Sequence, residues 1–479
     1  MRTEYETVIG LEVHVQLSTD TKIFCGCSTR FGAEPNTQVC PVCLGMPGAL
    51  PVLNKKAFEH SVKIACALNC DIQKILKFDR KNYYYPDLPK AYQISQFDMP
   101  LAYQGNLVIT DENGRQKSIG ITRAHMEEDA GKLIHVSGKS CSYVDLNRTG
   151  TPLLEIVSEP DMRSPEEAYR YLTKLKRVIK YLDVSDCNME EGSLRCDANI
   201  SMRGRGETEL GCKVEIKNLN SFKAVRDALL YEQRRQEELL DEGWNISMET
   251  RLWDDNKQIT LAMRSKEEAQ DYRYFPEPDL VPFEVSPELI RKIKSSMPEL
   301  PDKRRHRYET AYDLDEKDLD FLVSEKYYGD LFERVAAQYP QPKTICNWIR
   351  GDILMNANER GTDVKGLSLN PLHIADLIKL TNEGVISGLV AKEVLRQNID
   401  TGKDPAVIVK QKGLEQVSDK GELDLIIEDV INSNKKSVDD FKNGKDNAIS
   451  FLVGQVMKIS RGKANPKLAN ELLRAKLGE

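Results

Sequence analysis

A chain of 479 residues with 40% hydrophobic and 30% charged side chains and a mean hydropathy of −0.49 has the make-up of an ordinary globular protein of roughly two to four domains, which excludes a disordered or fibrous one. No run of about 18 apolar residues is present, and the first residues lead into a strand pattern without the basic and apolar regions of a signal peptide, so a cytoplasmic location without membrane contact is expected. The net charge of −7 excludes wholesale wrapping of nucleic acid and confines any such contact to a local basic patch.

Residues 8–17 set Ile9, Leu11, Val13, Val15 and Leu17 on one face and Glu12, His14 and Gln16 on the other, the period of a half-buried strand. Cys25-Gly26-Cys27 and Cys40-Pro41-Val42-Cys43 follow. Two close pairs of this kind let short loops bring four thiolates to one tetrahedral zinc; reduced thiols buried as small hydrophobes are the alternative. Four Cys ligands leave no open position, so a zinc held in the 25–43 loop would be structural, which argues against a zinc-dependent hydrolase. Cys66, Cys70, Cys141, Cys187, Cys196, Cys212 and Cys346 lack such pairing and are expected in the core.

Ser164-Pro165-Glu166-Glu167 combines an N-cap, a first-turn proline and a capping-box Glu ahead of a helical pattern. Residues 194–202 and 209–217 flank Gly204-Arg205-Gly206 as a predicted antiparallel hairpin, and a second helix runs from about Ser221 toward Gly243. Beyond 285 helical patterns take over, at 287 onward, 330–338, 371–383 and 387–397; 401–405 (TGKDP) is the predicted linker, with helices at 447–460 and 465–477 behind it. The stretch 441–478 holds Lys442, Lys445, Lys458, Arg461, Lys463, Lys467, Arg474 and Lys476 against Asp446 and Glu471. It suits either a nucleic-acid patch or a solvated helical face.

Acids recur on the polar faces: Glu12 beside His14, then His125-Met126-Glu127-Glu128-Asp129, Glu190-Glu191, Asp197 and Glu215. In the predicted hairpin Arg195, Asp197, Asn199 and Ser201 share one face, and Lys213, Glu215 and Lys217 share one face of the partner strand. Interleaved acids and bases are what a metal–phosphate site needs, carboxylate oxygens for magnesium and cations for phosphate oxygens; solvated charged strands are the competing account of any single acid. A nucleotide here would bind without a P-loop, because Gly138-Lys139-Ser140 lacks the opening glycine at 133, which is Leu133. No G-x-G-x-x-G is present either. His60, His135, His306 and His373 are expected in ordinary surface or core roles.

Residues 144–155 (VDLNRTGTPLLE) resemble the B-subunit family of the glutamyl-tRNA(Gln)/aspartyl-tRNA(Asn) amidotransferases, and the likeness extends to 8–14 (VIGLEVH), 78–98 (FDRKNYYYPDLPKAYQISQFD), 125–131 (HMEEDAG), 189–201 (MEEGSLRCDANIS), 272–279 (YRYFPEPD) and 451–455 (FLVGQ). The cysteine quartet matches the zinc-bearing branch of that family. The resemblance implies phosphorylation by ATP of the side-chain carboxylate of a misacylated Glu-tRNA(Gln) or Asp-tRNA(Asn), then amidation by ammonia delivered from an amidase A-subunit through a channel, in a heterotrimer with a small C-subunit. It implies Mg²⁺ on His14, Glu128 and Glu215, with Glu12, Glu127 and Asp197 as neighbouring or second-metal ligands. Arg148, Arg195, Lys217 and Lys81 follow as contacts to phosphate or acyl groups, Lys81 within the aromatic-basic stretch 80–85 that suits a tRNA acceptor end or else a tyrosine-rich core strand. The fold class that follows is α+β: an antiparallel-sheet cradle domain with flanking helices and a zinc loop over 1–290, an all-α middle domain over 291–404 and a small all-α tail over 405–479 that binds tRNA. A non-catalytic tRNA-binding scaffold with a structural zinc is the other reading.

Overall fold

The computed structural model describes residues 4–136, 138–263, 272–415, 420–442, 445, 447–460, 464 and 466–478. The chain forms two compact units, Met1–Pro301 and Asp302–Glu479.

A nine-stranded sheet carries the first unit. At its centre Tyr5–Gln16 pairs antiparallel with Leu194–Gly204 on one side and Pro152–Ser158 on the other. Outward from Pro152–Ser158 come Gln116–Glu128, Ala102–Thr110 and Asp71–Ile72; outward from Leu194–Gly204 come Val214–Lys217, Glu249–Asp254 and Ile259–Ala262. Only the pairing of Val214–Lys217 with Glu249–Asp254 is parallel among the described strands of this sheet, and the helix Phe222–Asp241 makes the crossover such a pairing requires.

Alternation along the central strand decides which face is covered. Ile9, Leu11, Val13 and Val15 are buried together with Leu172 and Leu175 of the helix Pro165–Tyr181 and Val225 and Leu229 of Phe222–Asp241. Both helices start where their caps dictate: Ser164 Oγ accepts the Glu167 N–H at 3.1 Å and Ser221 Oγ accepts that of Ala224 at 3.0 Å, each satisfying a donor that has no partner within the helix. The opposite face keeps Glu12 and His14.

The second arm of the predicted hairpin is shorter than its pattern, spanning Val214–Lys217. Residues 209–213 form a loop laid against the neighbouring strand, so close at Gly211 that a Cβ there would stand 1.9 Å from the Met202 carbonyl oxygen. Cys66, Cys187, Cys196 and Cys346 are buried as expected, but Cys141 is exposed in the connection between the paired strands Lys132–His135 and Ser142–Asp145, and Cys70 and Cys212 are half-buried.

Regular strands end at Phe283–Glu284, and the helix Pro287–Ser295 still sends Ile293 into the first core, which also takes Leu300. In the second unit one core gathers Tyr308, Phe332, Ile349, Ile374 and Val394, and another gathers Leu423, Ile427, Leu452 and Leu473. The predicted linker at 401–405 is a tight helix connection: Gly402 at φ +68° ends Gly388–Thr401, Asp404 caps Pro405–Lys412, and the Asn398 amide donates to the Lys403 carbonyl at 2.7 Å. Ile408 and Val409 consequently pack in the same core as Val394, which carries that core past 404. Among the described residues no helix is long and apolar enough to cross a membrane.

The edge of the sheet is fastened by Glu232, fully buried, which accepts from Arg235 Nε and Thr260 Oγ1 at 3.0 Å each and lies 3.5 Å from Arg251 Nε. Removing one partner of a buried ion cluster leaves the others uncompensated, so Glu232→Gln should lower the unfolding free energy by about 3 kcal/mol. A urea titration of the two proteins checks this, and an unchanged midpoint would contradict it.

Candidate active site

Register decides what stands beside Glu12 and His14, because side chains directly opposite on antiparallel strands share a face. His14 stands opposite Arg195 on one neighbouring strand and Glu155 on the other, and Glu155 in turn stands opposite His125. One row across four strands therefore reads Arg195, His14, Glu155, His125. The adjoining row places Asp197 opposite Glu12, with Arg123 beyond Val157. Glu215, opposite Asn199, belongs to the row after that, and Glu127, opposite Leu153, flanks His14 on the other side.

The side chains converge. His14 Nε2 lies 3.3 Å from Glu155 Oε2 and 3.5 Å from Glu127 Oε1, while His125 Nε2 lies 3.4 Å and 3.7 Å from the same two carboxylates. Burial alone would pull His14 down, but Glu155 and Glu127 outweigh it and hold His14 up at about 8. Burial works against ionisation of Glu127 and Glu155 as well, yet His125 and His14 keep both below the usual carboxylate range. One ligand atom from each of His14, Glu127 and Glu155 falls within 4.8 Å of the others. Two carboxylates and an imidazole around one point form a donor set for a divalent cation with positions left for water or phosphate oxygens.

In front of this trio opens a cavity of about 310 Å³ lined by Glu12, Lys81, Arg123, Glu155, Tyr272 and Tyr274 among others. Of the expected residues, His14, Asp197, Glu215 and Lys217 line it too. Glu12 accepts the Asn199 amide at 3.0 Å, and Lys217 bridges Asp197 at 3.1 Å and Glu215 at 3.2 Å. Glu215 also accepts the Thr250 hydroxyl at 2.9 Å, so it is held one strand away from the trio and is not one of its three ligands.

Glu128 departs from expectation altogether. As the neighbour of Glu127 on one strand it points to the other face, where it pairs with Lys90 and accepts the Ile94 N–H at 2.8 Å. On the cavity face it is Glu155 that stands beside His14 and Glu127. Arg148 donates to the carbonyls of Ala130 at 3.0 Å and Gly131 at 2.6 Å, and Arg195 is held by Asp129 at 2.9 Å; both brace the rim instead of lining the cavity. Lys81 stands over the rings of Tyr272 at 4.9 Å and Tyr83 at 5.7 Å, within cation–π range. Lys81 and Arg123 are the lining cations that form no ion pair among the described residues. Arg80, in the same stretch, is spent on Glu277, at 2.7 Å and 2.8 Å.

Sequence reasoning passed over Glu155 and Arg123. The signal for Glu155 was a lone carboxylate inside the otherwise apolar strand PLLEIVS, a placement that is rare unless the charge is partnered.

The thiols of Cys25, Cys27, Cys40 and Cys43 also come within 4.8 Å of one another. Cys40 and Cys43 Sγ are 3.9 Å apart, close to the edge of about 3.8 Å that a tetrahedron with Zn–S bonds of about 2.3 Å requires. Lys22, fully buried, places its ammonium 3.6 Å from Cys43 Sγ and 2.7 Å from the Gln38 carbonyl, so a cation stands ready beside the thiolates. The donor set fits zinc.

Residues 7–291 match the GatB/GatE catalytic domain family and residues 330–477 the GatB domain family. The chain is 55% identical to the B-subunit of the aspartyl/glutamyl-tRNA(Asn/Gln) amidotransferase of Carboxydothermus hydrogenoformans over 99% of both chains, and 56% identical to that of Caldanaerobacter subterraneus over 99% of this chain and 100% of the other. The corresponding B-subunit of Thermodesulfovibrio yellowstonii is 55% identical over 98% of each.

The opposite facings of Glu127 and Glu128 separate two phenotypes. Glu127→Gln should weaken Mn²⁺ binding at least ten-fold, on the order of what loss of a ligand-shell contact costs, without loss of fold. Glu128→Gln should leave Mn²⁺ affinity unchanged and lower stability by about 3 kcal/mol, since Lys90 loses its buried counter-charge. Paramagnetic titration and chemical denaturation of both variants read the two effects, and a reversed pattern would contradict the facings.

Proposed function

The chain belongs to the B-subunit family of the aspartyl/glutamyl-tRNA(Asn/Gln) amidotransferases, and from that premise we propose that it converts misacylated Glu-tRNA(Gln) or Asp-tRNA(Asn) to the amide by phosphorylating the side-chain carboxylate with ATP. The observation that carries this reading is one cavity that His14 and Glu155 of the trio line together with Lys81 and Arg123, two cations that form no ion pair among the described residues.

A carboxylate is a poor electrophile because oxide would have to leave. Transfer of the γ-phosphoryl group to its oxygen, with ADP departing, turns that oxygen into part of a good leaving group; ammonia then attacks the carbonyl carbon and inorganic phosphate departs. His14, Glu127 and Glu155 would hold a magnesium ion, which offsets charge on phosphate oxygens when bound. Lys81 and Arg123 bind the remaining phosphate oxygens and favour the charge that builds during transfer. Glu12, Asp197 and Glu215, each held by a neighbour, keep the floor of the cavity polar. Tyr272, Tyr274 and the ring of Phe97, stacked on Tyr274 at 4.1 Å, offer the planar surfaces on which an acceptor-end base stacks.

Ammonia comes from a partner amidase, the A-subunit, in a complex with a small C-subunit, so this chain needs no amide-cleaving nucleophile of its own. The sheet-rich first unit, to Pro301, acts as the catalytic cradle, and the helical second unit, from Asp302, carries the tail that holds tRNA. Arg461, Lys463 and Asp446 of the basic tail stretch lie outside the described residues. Zinc on the four cysteines is structural.

Glu155→Gln should lower tRNA-dependent ATP hydrolysis and amide formation at least ~100-fold while tRNA binding persists, measured on the assembled complex with ATP and glutamine. Retained amidation would make the chain a scaffold and overturn the reading. Cys40→Ser should abolish stoichiometric zinc by elemental analysis and lower the Tm; full zinc content in that variant would remove the metal from these ligands.

A further inference from the structure

Lys22 is the one buried lysine among the described residues, and no carboxylate of those residues pairs with it. Burying an ammonium away from any anion is costly, so a group of opposite charge is needed where this side chain ends. It ends at the cysteine quartet. The ammonium lies 2.7 Å from the Gln38 carbonyl oxygen, 3.5 Å from that of Leu146 and 3.6 Å from Cys43 Sγ, so two neutral carbonyls and one sulfur take up its three hydrogens. Cys43 is the buried member of the quartet, the other three being half-buried. Its sulfur is therefore the one least served by water, and the Cys40 N–H reaches it as well, at 3.2 Å.

The local backbone explains how Lys22 comes to stand there. Thr21 and Ser28 bridge antiparallel around Cys25-Gly26-Cys27, and the Lys22 N–H donates to the Cys27 carbonyl at 2.9 Å. The main chain of Lys22 thus belongs to the turn that carries the first ligand pair. Its side chain crosses to the turn that carries the second, which is closed by the Leu44 N–H on the Cys40 carbonyl and the Gly45 N–H on the Val42 carbonyl, at 3.0 Å each.

We propose that Lys22 is the counter-charge of this metal site: its ammonium donates to the Cys43 thiolate, cancels one of the two negative charges that zinc on four thiolates leaves over, and thereby sets how tightly the quartet holds the metal. The assignment rests on the reading of the four cysteines as zinc ligands. Ties to the Gln38 and Leu146 carbonyls do not account for a lysine, because an uncharged donor would make them at a smaller desolvation cost. The charge has a reason only if an anion faces it, and Cys43 is the neighbour that can be one. Hydrogen bonds to the sulfurs of a metal site tune the metal they hold, and groups that support the ligands in this way are worth a factor of about 10–100 in affinity.

The test compares the assembled wild-type complex with Lys22→Met, which removes charge and donor together, and with Lys22→Gln, which keeps an uncharged donor and carries the test alone should the methionine variant fail to assemble. Chelator competition should show zinc held at least about ten-fold more weakly by each variant. In the Co²⁺-substituted complexes the thiolate-to-metal charge-transfer band should move to lower energy, since a sulfur relieved of its cationic donor gives up electron density more readily. Zinc should also raise the Tm of the variants less than that of the wild type, the linked consequence of weaker binding. Wild-type zinc affinity with an unmoved band, or an equal loss of Tm with and without zinc, would make Lys22 a structural tie and overturn the proposal. Full affinity in Lys22→Gln against weakened binding in Lys22→Met would assign the effect to the hydrogen bond and overturn the role of charge. A wild-type complex that takes up no stoichiometric zinc removes the metal site and the proposal together.

Discussion

The pairing of Glu155 with His14 across one strand and with His125 across the next is the contact on which the arrangement of this face depends. It exists because three neighbouring strands hold a single register, and side chains alternate with a period of two. A slip of one residue would carry Glu155 to the core side and bring Leu154 or Ile156 out in its place. The apolar partners fix that register: Leu154 and Ile156 are fully buried beneath the row, in the same core as Val13 and Val15. The chemistry of one face is thus located by hydrophobic burial on the other.

Burying Glu127 and Glu155 side by side is costly, and each is kept ionised only by what surrounds it. The two imidazoles supply that surrounding charge, which is why His14 is driven up against the effect of its own burial. A divalent cation in the same place would do the same electrostatic work with more charge and shorter contacts. Arg195 and Lys217 are already matched to Asp129, Asp197 and Glu215, so their charge adds little to an incoming phosphate. Lys81 and Arg123 line the cavity without an ion pair among the described residues.

Much of this was legible in the sequence. The first strand, the two capped helices and the cysteine quartet follow from alternation, N-cap chemistry and spacing, and the structure keeps all of them. What one sequence could not give was the pairing of distant strands. Glu127 and Glu128 are chemically equal in a string of letters, and only the pleat, together with Gln93, whose amide donates to the Glu128 carbonyl at 2.7 Å, assigns one to each face. Glu155 was hidden for the same reason: its strand is apolar enough to read as plain core until two histidines from other strands are set beside it. The hairpin arm at 209–213 was overextended because alternation continues there, whereas Gly211 lets the loop press onto Met202 where a ladder pairing was expected.

The cysteine loop and the acid-lined face are distant in purpose but joined through one short segment. Gly150 sits at φ +81°; its carbonyl accepts the Ile23 N–H at 2.9 Å, and its N–H donates to the Asp129 carbonyl at 2.9 Å. A Cβ there would meet Cys43 Cβ and Lys22 Cδ in ordinary contact at 3.5 Å each, so it is the left-handed backbone that disfavours any other residue. Asp129 in turn holds Arg195, and Glu128 next to it is locked by Lys90 under the same loop. The strand end that presents Glu127 is therefore clamped from behind by the segment that orders the four thiols. Rigid support of this kind is what a three-ligand cation site requires, because its carboxylates repel each other and would drift apart on a loose scaffold. A structural metal in that loop would act on the reaction only through this clamp, by holding the strand end still.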